Sequence, residues 1–329
     1  MVISLFIINI FIIYLYYFRK SFIAELLISF VPYIIALCII VTIIGTYLLI
    51  KGLVKNFHIT IQTWIIILNI ILSIWIGILY SLEYFSFYNQ ANDNINLTNQ
   101  KWIKIFYSNI YYKNTDYKSL QQKIDKENPD IVILVEFSDD HEENMKQFFK
   151  ENYQYMNRNS RSTMLAWDVV FSKIPLKNIT ETHVVEAWSR NYSYMNIQCE
   201  NCKKWLDLYV VHTAAPVSFE NFKMRNSQLS MVSTDFKKVY TKWQPTIIVG
   251  DFNLSPWSYY YKDLTKDWNM LNALSFQTPS YTWSLNRHRI IRSHIDQLFI
   301  SPDIKISPIR IENLTWSDHR SFTFNVSID

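Results

Sequence analysis

Three apolar stretches dominate the start of the chain. Val2–Phe18 ("VISLFIINIFIIYLYYF"), Leu26–Ile50 and Ile59–Leu82 contain no charged residue, and crossing the hydrocarbon core of a bilayer takes about 20 predominantly apolar residues. The second and third are long enough and the first is just long enough. The pattern therefore predicts three membrane helices, over about 2–18, 26–50 and 59–82, the second bent or locally adjusted at Pro32. The first stretch does not read as a secretory signal: no basic segment precedes it, and Arg19-Lys20 follow where a small-residue cleavage site would stand. "NQANDNINLTNQ" (89–100) then reads as a short linker between a membrane region (1–88) and a polar region (101–329).

In the polar region the period of the pattern switches repeatedly. "WIKIFYSNIYY" (102–112) alternates and is rich in β-branched and aromatic residues, as strands are. Asn114 or Thr115 can cap a helix to about Lys126, which Pro129 stops. "DIVILVEF" (130–137) is the short continuous apolar run of a strand buried on both faces. A charged helix is expected over Asp139–Glu151, and a second over 219–243 with Phe222, Leu229, Val232, Phe236, Val239 and Trp243 near one face. "TMLAWDVVFS", "SYMNIQC", "KWLDLYVVHT", "TIIVGDF", "HIDQLFIS" and "RSFTFNVSI" are further strands, and "PWSYYYKDLTKDW" a short helix opened by Pro256. So many strands with so few helices predict an α/β domain of four layers, two mixed sheets packed face to face with helices outside.

Charge and cysteine content narrow the picture. From Lys101 onward 28 Lys and Arg stand against 25 Asp and Glu, too balanced for a domain whose main partner is a long polyanion. Arg19 and Lys20 in the first loop nearly offset Lys51 and Lys55 in the second. The amino-terminal charge and Glu25 tilt this balance towards an inside N-terminus and a polar region outside the cytoplasm. Cys199 and Cys202 form "CENC" between two alternating segments, as in a hairpin turn. Two cysteines are half of a structural zinc site; a local disulfide and two free thiols both fit.

Polar residues recur where apolar strands end: Asn109, Glu136, His212, Asp251 with Asn253, Asp296, and Asp318-His319. Each alone has an ordinary explanation, since Glu is usually a solvated loop residue and Ser and Asp favour turns. Together they place several carboxylates and imidazoles beside runs that must be buried. Buried charges require mutual compensation, through a metal or proton-sharing pairs, and open sheets bind ligands at their strand ends.

In this order, "YSNIYY", "PDIVILVEFS", "VVHTAAP", "GDFNLSPWS", "HIDQLFIS" and "SDHRSF" resemble the endonuclease/exonuclease/phosphatase superfamily, which includes DNase I-like nucleases, inositol-phosphate phosphatases and sphingomyelinases. The resemblance runs from about Lys101 to the C-terminus, and G-D-F-N and S-D-H are its most specific pieces. With apolar helices in front and "SPWS" behind G-D-F-N, the chain looks most like a membrane-anchored subgroup. That subgroup includes proteins associated with teicoplanin resistance that act on polyprenyl pyrophosphates outside the cell. Two departures, Ser172-Lys173-Ile174-Pro175-Leu176 for S-R-x-P-L and Ile295-Asp296-Gln297 for I-D-H or I-D-Y, bear on substrate contacts and not on reaction class.

The resemblance implies Mg²⁺, with Mn²⁺ as an alternative, held by Glu136 with Asn109 and Asp318. Asp251 would orient or deprotonate water, Asn253 and His212 would hold phosphoryl oxygens, and His319 paired with Asp296 would stabilise phosphoryl charge or exchange protons. The implied partners are a bilayer and a phosphate-bearing substrate such as a lipid-linked pyrophosphate, with no stable nucleic-acid partner. A metal-dependent nuclease and a catalytically inactive binding module of the same fold are the competing readings. Gly250, the only glycine after Gly77, is expected where a neighbouring backbone or the substrate passes too closely for a Cβ, with Asp251 and Asn253 on one face of the same strand.

Overall fold

The computed structural model describes residues 2–55, 61–88, 102–157, 167–182, 192–198, 204–239, 244–266, 268–276, 281–285, 290–314 and 317–328. The expected linker (89–100), Cys199 and Cys202 lie outside them. The chain divides into two compact units: Met1–Gln90 with Pro256–Lys262, and Ala91–Ser255 with Asp263–Asp329.

The first unit contains α1 (Val2–Tyr17), α2 (Phe22–Ile28), α3 (Val31–Lys55) and α4 (Ile61–Tyr88). Val31–Gly52 and Thr63–Tyr88 are long and apolar enough to cross a membrane. The pair α1 and α2, bent by 96°, makes a third span only if the two count as one. This corrects the expected second helix. The apolar run Leu26–Ile50 is split at Ser29-Phe30, and Pro32 sits in the first turn of α3 and bends nothing, because that turn needs no amide donor from it. Ser21 caps α2, accepting from Ala24 N–H. Asn9 Nδ2 of α1 donates to Asn69 Oδ1 of α4 at 2.9 Å, and Ser73 Oγ to Asn9 Oδ1 at 2.7 Å, so these buried polar groups satisfy one another between apolar helices. Residues 256–262 also belong to this unit: Trp257 is buried and stacked on Tyr84, centroids 5.4 Å apart.

The second unit runs β1 (Ile103–Asn109), α5 (Tyr117–Glu127), β2 (Ile131–Phe137), α6 (Asp139–Asn152), β3 (Tyr155–Met156), β4 (Trp167–Ser172), β5 (Leu176–Thr182), β6 (Tyr192–Ile197), β7 (Leu206–His212), α7 (Phe219–Val239) and β8 (Thr246–Asp251). After it come α8 (Tyr259–Thr265), which straddles the two units, β9 (Leu271–Asn272), β10 (Trp283–Ser284), β11 (Arg292–Ser293), β12 (Asp296–Ile300), β13 (Lys305–Ile306), β14 (Arg310–Asn313) and β15 (Arg320–Ser327). Helix α8 starts three residues after Pro256, which lies in a turn. Asp116, not Asn114 or Thr115, caps α5, accepting from Ser119 N–H at 3.2 Å.

One sheet has the order β13-β15-β1-β2-β4-β3, with β14 also on β15; the other has β5-β6-β7-β8-β12-β9. Both are mixed, with β1–β2 and β7–β8 the parallel pairs. Alternation decides the layers. Ile105, Tyr107, Ile133 and Val135 share the central core with Leu208, Val210, Val249 and Leu298 of the other sheet. Phe106, Val132 and Leu134 point the opposite way, under Leu120 and Ile124 of α5 and Met145 and Phe149 of α6. On the second sheet's outer face Tyr209 meets Phe236 of α7, centroids 5.8 Å apart. The expected four layers are present.

Candidate active site

Sheet register gathers the acidic residues. His212 lies opposite Asp251 across the parallel β7–β8 pair, and Asp251 opposite Asp296 across the antiparallel β8–β12 pair. The other sheet contributes Asn109 at the end of β1, Glu136 near the end of β2, and His319 just before β15.

Glu136 is aimed by its backbone. Its φ is 62°, and the β2–β4 register shifts between Leu134 and Phe137. A bulge of this kind re-aims a side chain, and a bulky residue at positive φ costs about 1–3 kcal/mol unless its surroundings hold it there. Tyr112 N–H donates to Glu136 Oε2 at 3.1 Å and Asn109 Nδ2 to Oε1 at 3.2 Å. The Asn109 amide is oriented in turn by Tyr111 N–H, which donates to its Oδ1 at 3.0 Å. Its nitrogen therefore faces the carboxylates, reaching Asp251 Oδ2 at 3.0 Å. In this geometry Asn109 braces Glu136 against Asp251, with its oxygen turned to the backbone.

Asp251 is 1% exposed, and its Oδ1 accepts from Asn253 N–H at 2.9 Å. Asn253 is past the end of β8 at φ 46°, so the expected shared strand face does not join the two residues; a tight turn does. Asn253 Nδ2 donates to the Thr213 carbonyl at 2.9 Å, and the buried Arg225 Nη1 donates to the Asn253 carbonyl at 3.0 Å. Gly250 precedes them at φ 157°, where a Cβ would stand 1.8 Å from the Val211 carbonyl oxygen. Of the two expected neighbours, the backbone of β7 is the one that excludes a side chain.

His319 lies between two aspartates: Nδ1 is 2.9 Å from Asp296 Oδ2, and Nε2 is 3.6 Å from Asp251 Oδ2. Burial pushes the imidazole down, but Asp296 and then Asp251 outweigh it and raise it to about 10. Burial likewise raises the Asp251 carboxyl, to about 7 against the opposing pull of His319. Ser317 holds this turn, donating to the Asn109 carbonyl at 2.8 Å and accepting from His319 N–H at 3.1 Å. Asp318 points elsewhere: its Oδ2 accepts from Trp283 Nε1 at 2.8 Å.

Two further residues were not legible as site residues. Asp168 Oδ1 lies 3.3 Å from His212 Nδ1, while His212 Nε2 is 3.8 Å from Glu136 Oε1. The signal was a lone carboxylate in the otherwise apolar "WDVVF". Tyr107 donates its hydroxyl to Asp296 Oδ1 at 2.6 Å; its place two residues before Asn109 puts it on the same face of β1.

Among the described residues, Glu136, His212 and Asp251 offer ligand atoms within 4.8 Å of one another, as do Asp251, Asp296 and His319. Asp318 belongs to neither group, so the expectation that it completes a ligand set is not carried by these distances. Paired carboxylates suit a hard, oxygen-seeking cation such as Mg²⁺. Glu136 is the more open of the two, 9% exposed against 1% for Asp251, and fits as its anchor.

The model of the endonuclease/exonuclease/phosphatase family matches residues 106–319. No curated protein matches the chain by sequence. Among solved structures, an endonuclease/exonuclease/phosphatase family protein from Bacteroides thetaiotaomicron superposes with a TM-score of 0.57 at 13% identity, covering 70% of this chain and 100% of that one. D. rerio TDP2, complexed with a single-strand DNA product, gives 0.57 at 15% identity over 69% of this chain and 99% of that one. The human Nocturnin catalytic domain, with a bound sulfate anion, gives 0.53 at 18% identity over 71% and 96%. At these identities the likeness is one of fold.

Proposed function

This chain belongs to the endonuclease/exonuclease/phosphatase family, and on that premise we propose that it is a membrane-anchored, Mg²⁺-dependent phosphohydrolase. Its substrate presents a phosphate ester or pyrophosphate near a bilayer, as a lipid-linked pyrophosphate does. The observation that carries this reading is the convergence on Asp251, with His212 and Asp296 in register on either side of it and Glu136 and His319 brought from the other sheet. The helices long and apolar enough to cross a membrane support the anchoring. With the bent pair α1–α2 counted as one span, the loop charges leave a slight lean towards a second unit outside the cytoplasm.

Glu136 would hold the cation, with Asp251 beside it free to act on the water. Bound Mg²⁺, or Mn²⁺ in its place, supplies charge neutralisation to a phosphoryl group that otherwise repels the incoming oxygen. Asp251 accepts the proton of the attacking water as the water oxygen bonds to phosphorus and the bond to the leaving oxygen breaks. His319, protonated between two carboxylates, stabilises the negative charge on the phosphoryl group. His212 and the second amide hydrogen of Asn253 serve the remaining phosphoryl oxygens.

The pH dependence follows with a definite sign. Asp251 acts only without its proton, and burial raises its carboxyl above the usual range, so turnover should rise with pH through the acidic range and level off once Asp251 is ionised. His319 acts only with its proton, so turnover should fall as pH passes about 10. A rate profile over this range at saturating Mg²⁺ checks both limbs; a rate that falls as pH climbs from 5 to 8 would refute the assignment of Asp251 as base.

Glu136→Gln should lose activity that high Mg²⁺ partly restores, because weakened cation binding is offset by mass action. A Mg²⁺ titration that stays flat would remove Glu136 as the main ligand. The proposed substrate class is tested by assaying the detergent-solubilised full chain with Mg²⁺ against a polyprenyl pyrophosphate, a phospholipid and plasmid DNA, each repeated with EDTA. EDTA-sensitive release from the pyrophosphate supports the reading. Cleavage of DNA alone would make the protein a nuclease, and no turnover of any of them would favour a binding module.

A further inference from the structure

The second sheet's Asp296 is clamped by two residues of the first. One oxygen meets His319 Nδ1 at 2.9 Å and the other accepts the Tyr107 hydroxyl at 2.6 Å. Tyr107 is a core residue, fully buried on the inward face of β1, with its ring stacked on Phe322 at 4.3 Å. Its hydroxyl thus crosses the interior of the sandwich, from β1 to the first residue of β12. The peptide of Asp296 is also fixed, its N–H donating to Thr282 Oγ1 at 3.1 Å.

We propose that Tyr107 is a positioning residue for the reaction: it occupies one oxygen of Asp296, so the other is presented to His319 in a single orientation. A buried carboxylate with one oxygen unsatisfied would turn to recover a partner or draw the imidazole proton towards itself. Either response moves His319 Nε2 from its place beside Asp251, and a misplacement on the order of 1 Å is costly to rate. The sandwich core thereby becomes part of the reaction centre, through a side chain that touches no substrate. The kinetic half of this inference rests on the phosphohydrolase reading; the geometric half does not.

Tyr107→Phe tests it, because the ring and its stacking on Phe322 are kept and only the hydroxyl is lost. We expect kcat to fall about tenfold with KM little changed. In an Asp296→Asn background the same change should cost almost nothing further, because the hydroxyl acts through that carboxylate. A purely structural tyrosine would give the same fractional loss in both backgrounds.

The second readout needs no substrate. In the full chain labelled with ¹⁵N-histidine, the downfield Nδ1–H proton of His319, assigned by its absence in His319→Ala, should shift or broaden in Tyr107→Phe. An unchanged resonance, or parental kcat, would overturn the proposal. If the parent hydrolyses no phosphate substrate, the functional reading fails, and the resonance alone decides whether Tyr107 orients the pair.

Discussion

Asp251→Asn should lower turnover by roughly 10²–10⁴-fold, the usual contribution of a positioned acid or base, while the protein remains folded and inserted. The substitution keeps the shape of the side chain and an acceptor for Asn253 N–H. It replaces the oxygen facing Asn109 Nδ2 and His319 with an amide that cannot take a proton from water. One donor is then left facing another donor, a mismatch worth about 1–3 kcal/mol of stability. That amount lowers the melting temperature of a domain of this size by several degrees and leaves most molecules native. Rate loss and stability loss therefore separate by orders of magnitude. His319→Ala should behave alike, since neither defect can be repaired by added Mg²⁺. Initial rates across a Mg²⁺ titration, with thermal unfolding measured on the same samples, check the pair. Activity that follows melting temperature in both variants would make these residues structural.

Gly250→Ala should be the most damaging single-methyl change in the second unit. Its Cβ would stand 1.8 Å from the Val211 carbonyl oxygen, and 2.7 and 2.8 Å from the Val211 carbonyl carbon and nitrogen, with φ at 157°. These are backbone atoms of a paired strand, so no side-chain rotation relieves the contact. Strands β7 and β8 must separate or slide, and they carry His212 and Asp251 opposite each other. A cost of about 4 kcal/mol or more is expected, at the extreme end of single substitutions, together with loss of the His212–Asp251 register. Circular dichroism melting and turnover of purified Gly250→Ala would show it. A variant with parental melting temperature and rate would mean that the two strands part at this point without cost.

Much of this was readable along the chain because it is local. The apolar run of β2 ending in Glu136 and the strand of β8 ending in Asp251 mark which side chains leave the core and where. Gly250 announced a close approach that the backbone of β7 explains. The rest depends on pairing between distant segments. Nothing near Asp168 indicates that β4 brings it to His212, and nothing near Tyr107 indicates a carboxylate across the sandwich, because these meetings follow from strand order and layer packing. The positive φ of Glu136 accompanies hydrogen bonds from Asn109 and Tyr112 to its carboxylate, and no turn residue marks it in the sequence. The break between α2 and α3 falls at Ser29-Phe30 inside a charge-free run, where a single serine gives hydropathy little contrast. Residues 256–262 group with the helical unit through contacts such as Trp257 on Tyr84, which a strand-to-helix pattern does not encode.

The carboxylates around Asp251 are proposed to hold a divalent cation for phosphoester chemistry. Mn²⁺ uptake by the EDTA-stripped full chain, followed by electron paramagnetic resonance, tests this most directly. Mn²⁺ should bind the parent, be displaced by Mg²⁺, and bind Glu136→Gln at least about tenfold more weakly. A parent that takes up no Mn²⁺, or uptake that Glu136→Gln leaves unchanged, would contradict the proposal.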